Sequence, residues 1–126
     1  MKLIIAGGRE VPEKDADKLV RKVLSKYVPD MASVWGILNG GASGIDAAVR
    51  RLWRDHIRDL WPQVGLITYE ADWETHGKKA GPMRNREMAK HADTLIAIWD
   101  GKSRGTKNMI DEARKAGLTV HIERYE

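Results

Sequence analysis

The chain has 126 residues, enough to bury one hydrophobic core as one domain, and carries 22 Lys and Arg against 18 Asp and Glu, a formal net charge of +4. It has no cysteine, which excludes a disulfide framework, a thiolate nucleophile and a cysteine zinc site. No apolar run is long enough for a membrane span and the N-terminus lacks a secretory pattern, so a cytoplasmic protein without membrane contact is expected; the positive balance permits an anionic partner without selecting one.

Apolar runs and helical periodicities alternate along the chain. Residues 3–6 (LIIA) read as a buried strand ended by Gly7 and Gly8, followed by a helix with Pro12 in its opening turn and Leu19, Val20, Val23 and Leu24 on one face. Residues 33–38 (SVWGIL) predict a second strand, residues 39–44 (NGGASG) a glycine-rich turn, and residues 45–60 a second helix. A third strand is expected over residues 64–69, a long polar loop over 71–81, a helix from Pro82, a fourth strand over 94–99, a loop over 100–105, a helix over 106–116 ended by Gly117, and a last strand over 118–122. This alternation specifies βαβ units, hence a doubly wound, mainly parallel, Rossmann-like α/β sheet forming a single domain over residues 1–126 and covered on both faces. No repeat, low-complexity tract or linker divides it.

In such sheets ligands lie at the carboxyl ends of the strands, where the strand order reverses. Four loops fall there: Gly7-Gly8-Arg9, the turn from Asn39 to Asp46, the segment from Asp72 to Arg86, and residues 100–106. The turn would aim free N–H groups and the positive end of a helix dipole at an anion, although a tight turn without a ligand has the same composition. No Ser-His-Asp spacing is legible. His56, His91 and His121 lack the partners of a metal site, and no cofactor is implied. Trp35, Trp53, Trp61 and Trp99 fall in strands or helices and are expected in the core. Leu52, Trp53, Leu60 and Trp61 give the second helix more apolar surface than a small domain usually leaves open, which predicts a homodimer or higher homo-oligomer.

Taken in order, Gly7-Gly8-Arg9, the run NGGASGID from Asn39 to Asp46, Ala71-Asp72-Trp73, the run HGKKAGPMRNREM from His76 to Met88, and Gly105-Thr106 resemble the motifs of the SLOG superfamily of Rossmann-like proteins, and most of all its small YspA-like family of bacteria and phages. The resemblance covers nearly the whole chain. It implies a site for a nucleotide or nucleotide derivative that is sensed, carried or sequestered in the cytoplasm of a bacterial cell or phage-infected host. Related branches are the LOG enzymes, which cleave the N-glycosidic bond of cytokinin nucleoside monophosphates, and DNA-processing protein A, which binds single-stranded DNA.

Roles for the matching residues follow. The amides of Gly40, Gly41, Ala42, Ser43 and Gly44 would hold phosphate; Asp46 would accept from a ribose or base, or else satisfy the helix start. Arg9 would fork onto phosphate or stay solvated. Arg84 and Arg86 stand two positions apart and cannot share a helix face, so one faces the site; Arg84 is the choice, because it and Met88 align with the LOG helical motif. Asn85 would read a base edge or brace the loop, Trp73 would stack on a base or close over the core, and His76, beside Asp72, would bond to phosphate. Gly105 and Thr106 would form a second anion-binding helix end, with the Thr106 hydroxyl as donor or cap. Here the chain departs from the LOG pattern: Lys107-Asn108-Met109 stands where those enzymes place glutamates, one of them catalytic. A carboxylate is needed to cleave a glycosidic bond, so a phosphoribohydrolase remains an alternative and no catalytic residue is assigned. Single-stranded DNA binding is a further alternative, supported by Lys18, Arg21, Lys22, Arg50, Arg51 and Arg54 and weakened by the acidic residues among them.

Overall fold

The computed structural model describes residues 1–125. Five strands, β1 (Lys2–Gly7), β2 (Gly36–Asn39), β3 (Gly65–Thr68), β4 (Thr94–Trp99) and β5 (Thr119–Arg124), form one all-parallel sheet in the order β3-β2-β1-β4-β5. The strand order reverses between β1 and β4, where the register runs from Leu3 opposite Thr94 to Gly7 opposite Ile98. Helices α1 (Glu13–Tyr27) and α2 (Ile45–Leu52) cover one face; α4 (Ala80–Lys90) and α5 (Arg104–Lys115) cover the other, with the short α3 (Trp73–His76) ahead of α4. This is a Rossmann-like α/β fold. Among the described residues, no helix is long and apolar enough to cross a membrane.

The period-two alternation of a strand divides the core. Leu3, Ile5, Ile37, Ile96 and Ile98 turn toward Val20, Val23, Ile45 and Val49 of α1 and α2. Their neighbours Ile4, Leu38, Leu95 and Ala97 turn toward Met88, Met109, Ile110 and Ala113 of α4 and α5. Both faces of the three central strands are therefore apolar, which is why they read as unbroken hydrophobic runs.

Several boundaries differ from the expectation for local reasons. Residues 31–33 form a 3-10 turn capped by Asp30, so β2 begins at Gly36, and Trp35 is 69% exposed rather than in the core. The second helix stops at Leu52 and continues as a π-helical turn, Trp53–Ile57, instead of running to residue 60. That turn lays Trp53 back so that its indole donates to the Val64 carbonyl at 2.8 Å. Leu52, Trp53 and Trp61 are partly buried against the core, and Leu60 is 75% exposed. Trp99 is half-buried and donates to the Ser103 carbonyl. The expected loop over 71–81 is largely helical, because Asp72 caps α3 and a 3-10 turn, Gly77–Lys79, carries the chain into α4 at Ala80; Pro82 lies in its first turn, where a missing N–H costs nothing. Ser103 caps α5, which starts two residues before Thr106, and β5 runs to Arg124. At the sheet edge β3 is mostly exposed, so coverage of both faces holds for the inner strands only.

Two features bear on stability. Glu123 is buried on β5 yet receives Lys26 and Lys22 at 3.0 Å and the Tyr27 hydroxyl at 3.2 Å, and these donors hold its carboxyl down at about 2, against an ordinary 4.5. Stability from this depressed group is complete above its unfolded value and lost as pH falls through the folded one. In thermal melts the gap between wild type and Glu123→Gln is therefore expected to be full above pH 4.5 and to close as pH approaches about 2. Gly44 has φ of +69°, and a Cβ there would stand 2.2 Å from the Gly8 carbonyl oxygen. Gly44→Ala is expected to cost about 3 kcal/mol or more in urea unfolding, whereas Gly105→Ala, where a Cβ meets nothing within 4 Å, stays within about 0.5 kcal/mol of wild type.

Candidate functional site

At the carboxyl edge of the sheet the loops after β1, β2, β3 and β4 enclose a cleft of about 330 Å³. Of the residues expected there, Gly7, Arg9, Gly40, Ala42, Asp46, Trp73, Arg84, Asn85, Gly105 and Thr106 line it. Gly8, Asn39, Gly41, Ser43, Gly44, Asp72 and His76 do not.

The glycine turn is braced from within. Asn39 has no exposed surface; its carboxamide oxygen accepts from the Gly41 amide at 2.9 Å and from Arg50 at 3.0 Å, while its nitrogen donates to the Thr68 hydroxyl at 3.0 Å. Arg50, one turn of α2 beyond Asp46, also donates to the Ala42 carbonyl at 3.0 Å. The Ile45 amide reaches the Gly8 carbonyl at 3.2 Å and the Ser43 hydroxyl reaches the Arg9 carbonyl at 2.8 Å, which fastens the turn to the β1 loop. Asp46 is buried and accepts from the Ala42 amide at 3.2 Å. Burial pushes its carboxyl above the ordinary value, opposed by the Ala42 and Gly40 amides and by Arg84 and Arg50. The amides of Gly41 and Ala42 thus have acceptors inside the protein, while Gly40 and Ala42 also line the cleft. At Gly44 the β1 loop leaves no room for a side chain, and the Ser43 hydroxyl ties the turn to that loop.

Cations come instead from the surrounding walls. Arg84 leans across from α4, donating to the carbonyls of Gly40 and Tyr69 and, at 2.9 Å, to the side-chain oxygen of Asn85. Burial lowers the basicity of this guanidinium, and Asp46 opposes that shift. Arg86 points away and pairs with buried Glu112 at 3.5 Å, so the two arginines divide as their spacing requires. Asn85 is a brace: its amide donates to the Gly105 carbonyl and to Asn108 and ties α4 to the start of α5. Trp73 does not close over the core. It is 47% exposed at the cleft wall, its ring lies over Gly81, and the Arg9 guanidinium stands 5.7 Å from its centroid. Asp72 caps α3 by accepting from the Thr75 amide, and His76 is exposed outside the cleft. Thr106 is buried with its hydroxyl 3.3 Å from that of Ser103, the residue that caps α5.

Lys78 and Arg104 complete the lining, giving four cations around one carboxylate, Asp46. In sequence Lys78 and Arg104 add positive potential to the rim alongside Lys79, Lys102 and Lys107, and the folded loops select these two to face inward. Arg50 carries a clearer signal, standing four residues after Asp46 on the same helix face. Three carboxylates on α4 and α5 pair with neighbouring cations: Glu87 with His91 and Lys90, Asp111 with Lys107, Glu112 with Arg86. His91 therefore does have a carboxylate partner, though in an exposed pair on α4, and His121 stacks on Tyr27 with centroids 4.6 Å apart.

Removing the Asn39 carboxamide strands a buried amide and a guanidinium, so Asn39→Ala is expected to lower unfolding free energy by about 2–4 kcal/mol in urea titrations. Trp73→Ala, at an exposed wall, is expected to cost less than about 1 kcal/mol.

No family model matches the chain. A protein of Mycobacterium phage D29 described as "Gene 61 protein" is 42% identical over 85 residues, which span 67% of this chain and 67% of that protein. With that identity over two thirds of both chains, this protein belongs to the same family as the phage D29 Gene 61 protein.

Proposed function

We propose that the protein binds a nucleotide or nucleotide-derived anion in the cleft between the β1, β2, β3 and β4 loops, and senses, carries or sequesters it. The observation that carries this reading is the convergence of Arg9, Lys78, Arg84 and Arg104, from three loops distant in sequence, on a single cleft at the point where strand order reverses. The start of α5 adds the positive end of a helix dipole, Trp73 offers a ring face for a base, and the volume lies in the range of small-molecule sites. Asp46 stands where a hydroxyl or amine of the ligand would find an acceptor.

The run of glycine motifs supports the likeness to the YspA-like family of the SLOG superfamily, and the phage relative is compatible with action in an infected host. Two other readings are less well supported. Glycosidic cleavage would rest on Asp46 alone, a carboxylate already holding the Ala42 amide. Binding of a long single strand would need basic groups left open along the helices, whereas Arg50 braces the turn, Arg51 pairs with Asp17 and Glu13, and Arg54 with Asp55.

A thermal-shift series with nucleoside mono-, di- and triphosphates and a short single-stranded DNA tests the proposal. A nucleotide at a hundred times its Kd should add about 2.7 kcal/mol of stability. The increment should shrink in Arg84→Ala, Lys78→Ala and Arg104→Ala, each read against its own ligand-free melt, and at raised ionic strength. A shift from DNA alone, or none from any nucleotide, would overturn the reading.

A further inference from the structure

A second and larger cavity, of about 750 Å³, opens on the α1 side of the β1 loop, and Arg9 and Ser103 belong to its wall as well as to that of the cationic cleft. The two spaces are thus neighbours across the β1 loop, at the switch between β1 and β4. Their chemistry differs. Around the second cavity the carboxylates of Glu10, Asp15 and Asp100 outnumber the cations, and Val11, Leu19 and the ring of Tyr125 supply apolar wall. Asp100 is fixed in place by accepting from the amides of Lys102 and Ser103 at 2.8 Å. With Arg9 and Lys18 set against three carboxylates, this lining favours phosphate less than the cationic cleft does, while carboxylates accept hydrogen bonds from sugar hydroxyls or base amines, and the apolar wall receives a ring face.

The geometry points to a ligand of two lobes joined by a diphosphate: a nucleoside diphosphate whose terminal phosphate carries a second sugar or nucleoside. Rested on the nucleotide reading above, the assignment puts the phosphates among Arg9, Arg84 and Arg104 and the second, uncharged lobe in the α1-side cavity. Arg9, at the junction, is the residue both halves share. A ligand of this class uses both spaces, whereas a nucleoside mono- or diphosphate leaves the larger one empty.

Calorimetric titration of the full chain with ADP, GDP and UDP, each beside its sugar-bearing counterpart ADP-ribose, GDP-mannose or UDP-glucose, separates the possibilities. The second lobe should improve Kd by about tenfold or more in at least one pair, because it adds contacts without adding phosphate charge. Asp15 is exposed at the cavity rim, so Asp15→Trp should fold and, by filling the space, bring the ratio of the two Kd values near one. Equal affinities within all three pairs, or an advantage that survives Asp15→Trp, would overturn the two-lobed assignment while leaving the nucleotide site standing. Failure of all six compounds to bind would overturn both. The wild-type ratio alone decides the matter if the variant does not fold.

Discussion

The β1 loop and the glycine turn touch through their backbones, and that contact exists only because residue 44 lacks a side chain. With a Cβ at Gly44, the carbonyl of Gly8 would be driven off, and with it the hydrogen bonds that the Ile45 amide and the Ser43 hydroxyl make to the β1 loop. A second close approach supports the first: a Cβ at Gly7 would meet Ile45 Cγ1 at 2.5 Å. Two glycines thus let the first turn of α2 seat directly on the end of β1. From that seat follow the position of Asp46 under the Ala42 amide, the reach of Arg50 back to Asn39, and the direction in which Arg9 leaves the loop toward Trp73.

Charge is used in two ways. Away from the cleft many cations are paired: Lys22 and Lys26 on Glu123, Arg51 on Asp17, Arg86 on Glu112. Around the cleft, Arg9, Lys78, Arg84 and Arg104 enter no ion pair among the described residues, and Asp46 alone stands against them. A formal charge of only +4 therefore conceals a local concentration of positive potential, since the surface elsewhere is nearly neutralised. Asn39 and Asn85 do the positioning, one holding the turn and the other joining α4 to α5, and both are buried amides with partners on every side.

The architecture was legible because the inner strands are apolar runs and α1, α2 and α5 carry clear stripes; residues 94–99 read as a strand from end to end, and β4 has those bounds. The convergence of loops followed from topology alone. Which member of each loop faces inward did not. Asn39 resembles a ligand contact in sequence because a carboxamide that braces a turn and one that reads a base have the same composition; only its complete burial separates them. Trp35 was misplaced because strand periodicity extends through it, while its backbone has not yet entered the strand. The helical course of residues 73–79 was hidden by a short, polar stretch without an apolar stripe, where Asp72 as a cap is the one local signal.

The central strand also sets an order of events during synthesis. Residues 2–4 pair on one side with residues 36–38, one crossover through α1 away, and residues 3–7 pair on the other with residues 94–98, about ninety positions later. Until β4 leaves the ribosome, a nascent chain that has already joined β1, β2 and β3 carries an open edge down the middle of its future sheet, bordered by Ile4 and Ile5. The two halves of the cleft come together at the same step, since the β1 and β4 loops have no fixed relation before these strands join. The cleft is therefore among the last parts of the molecule to exist.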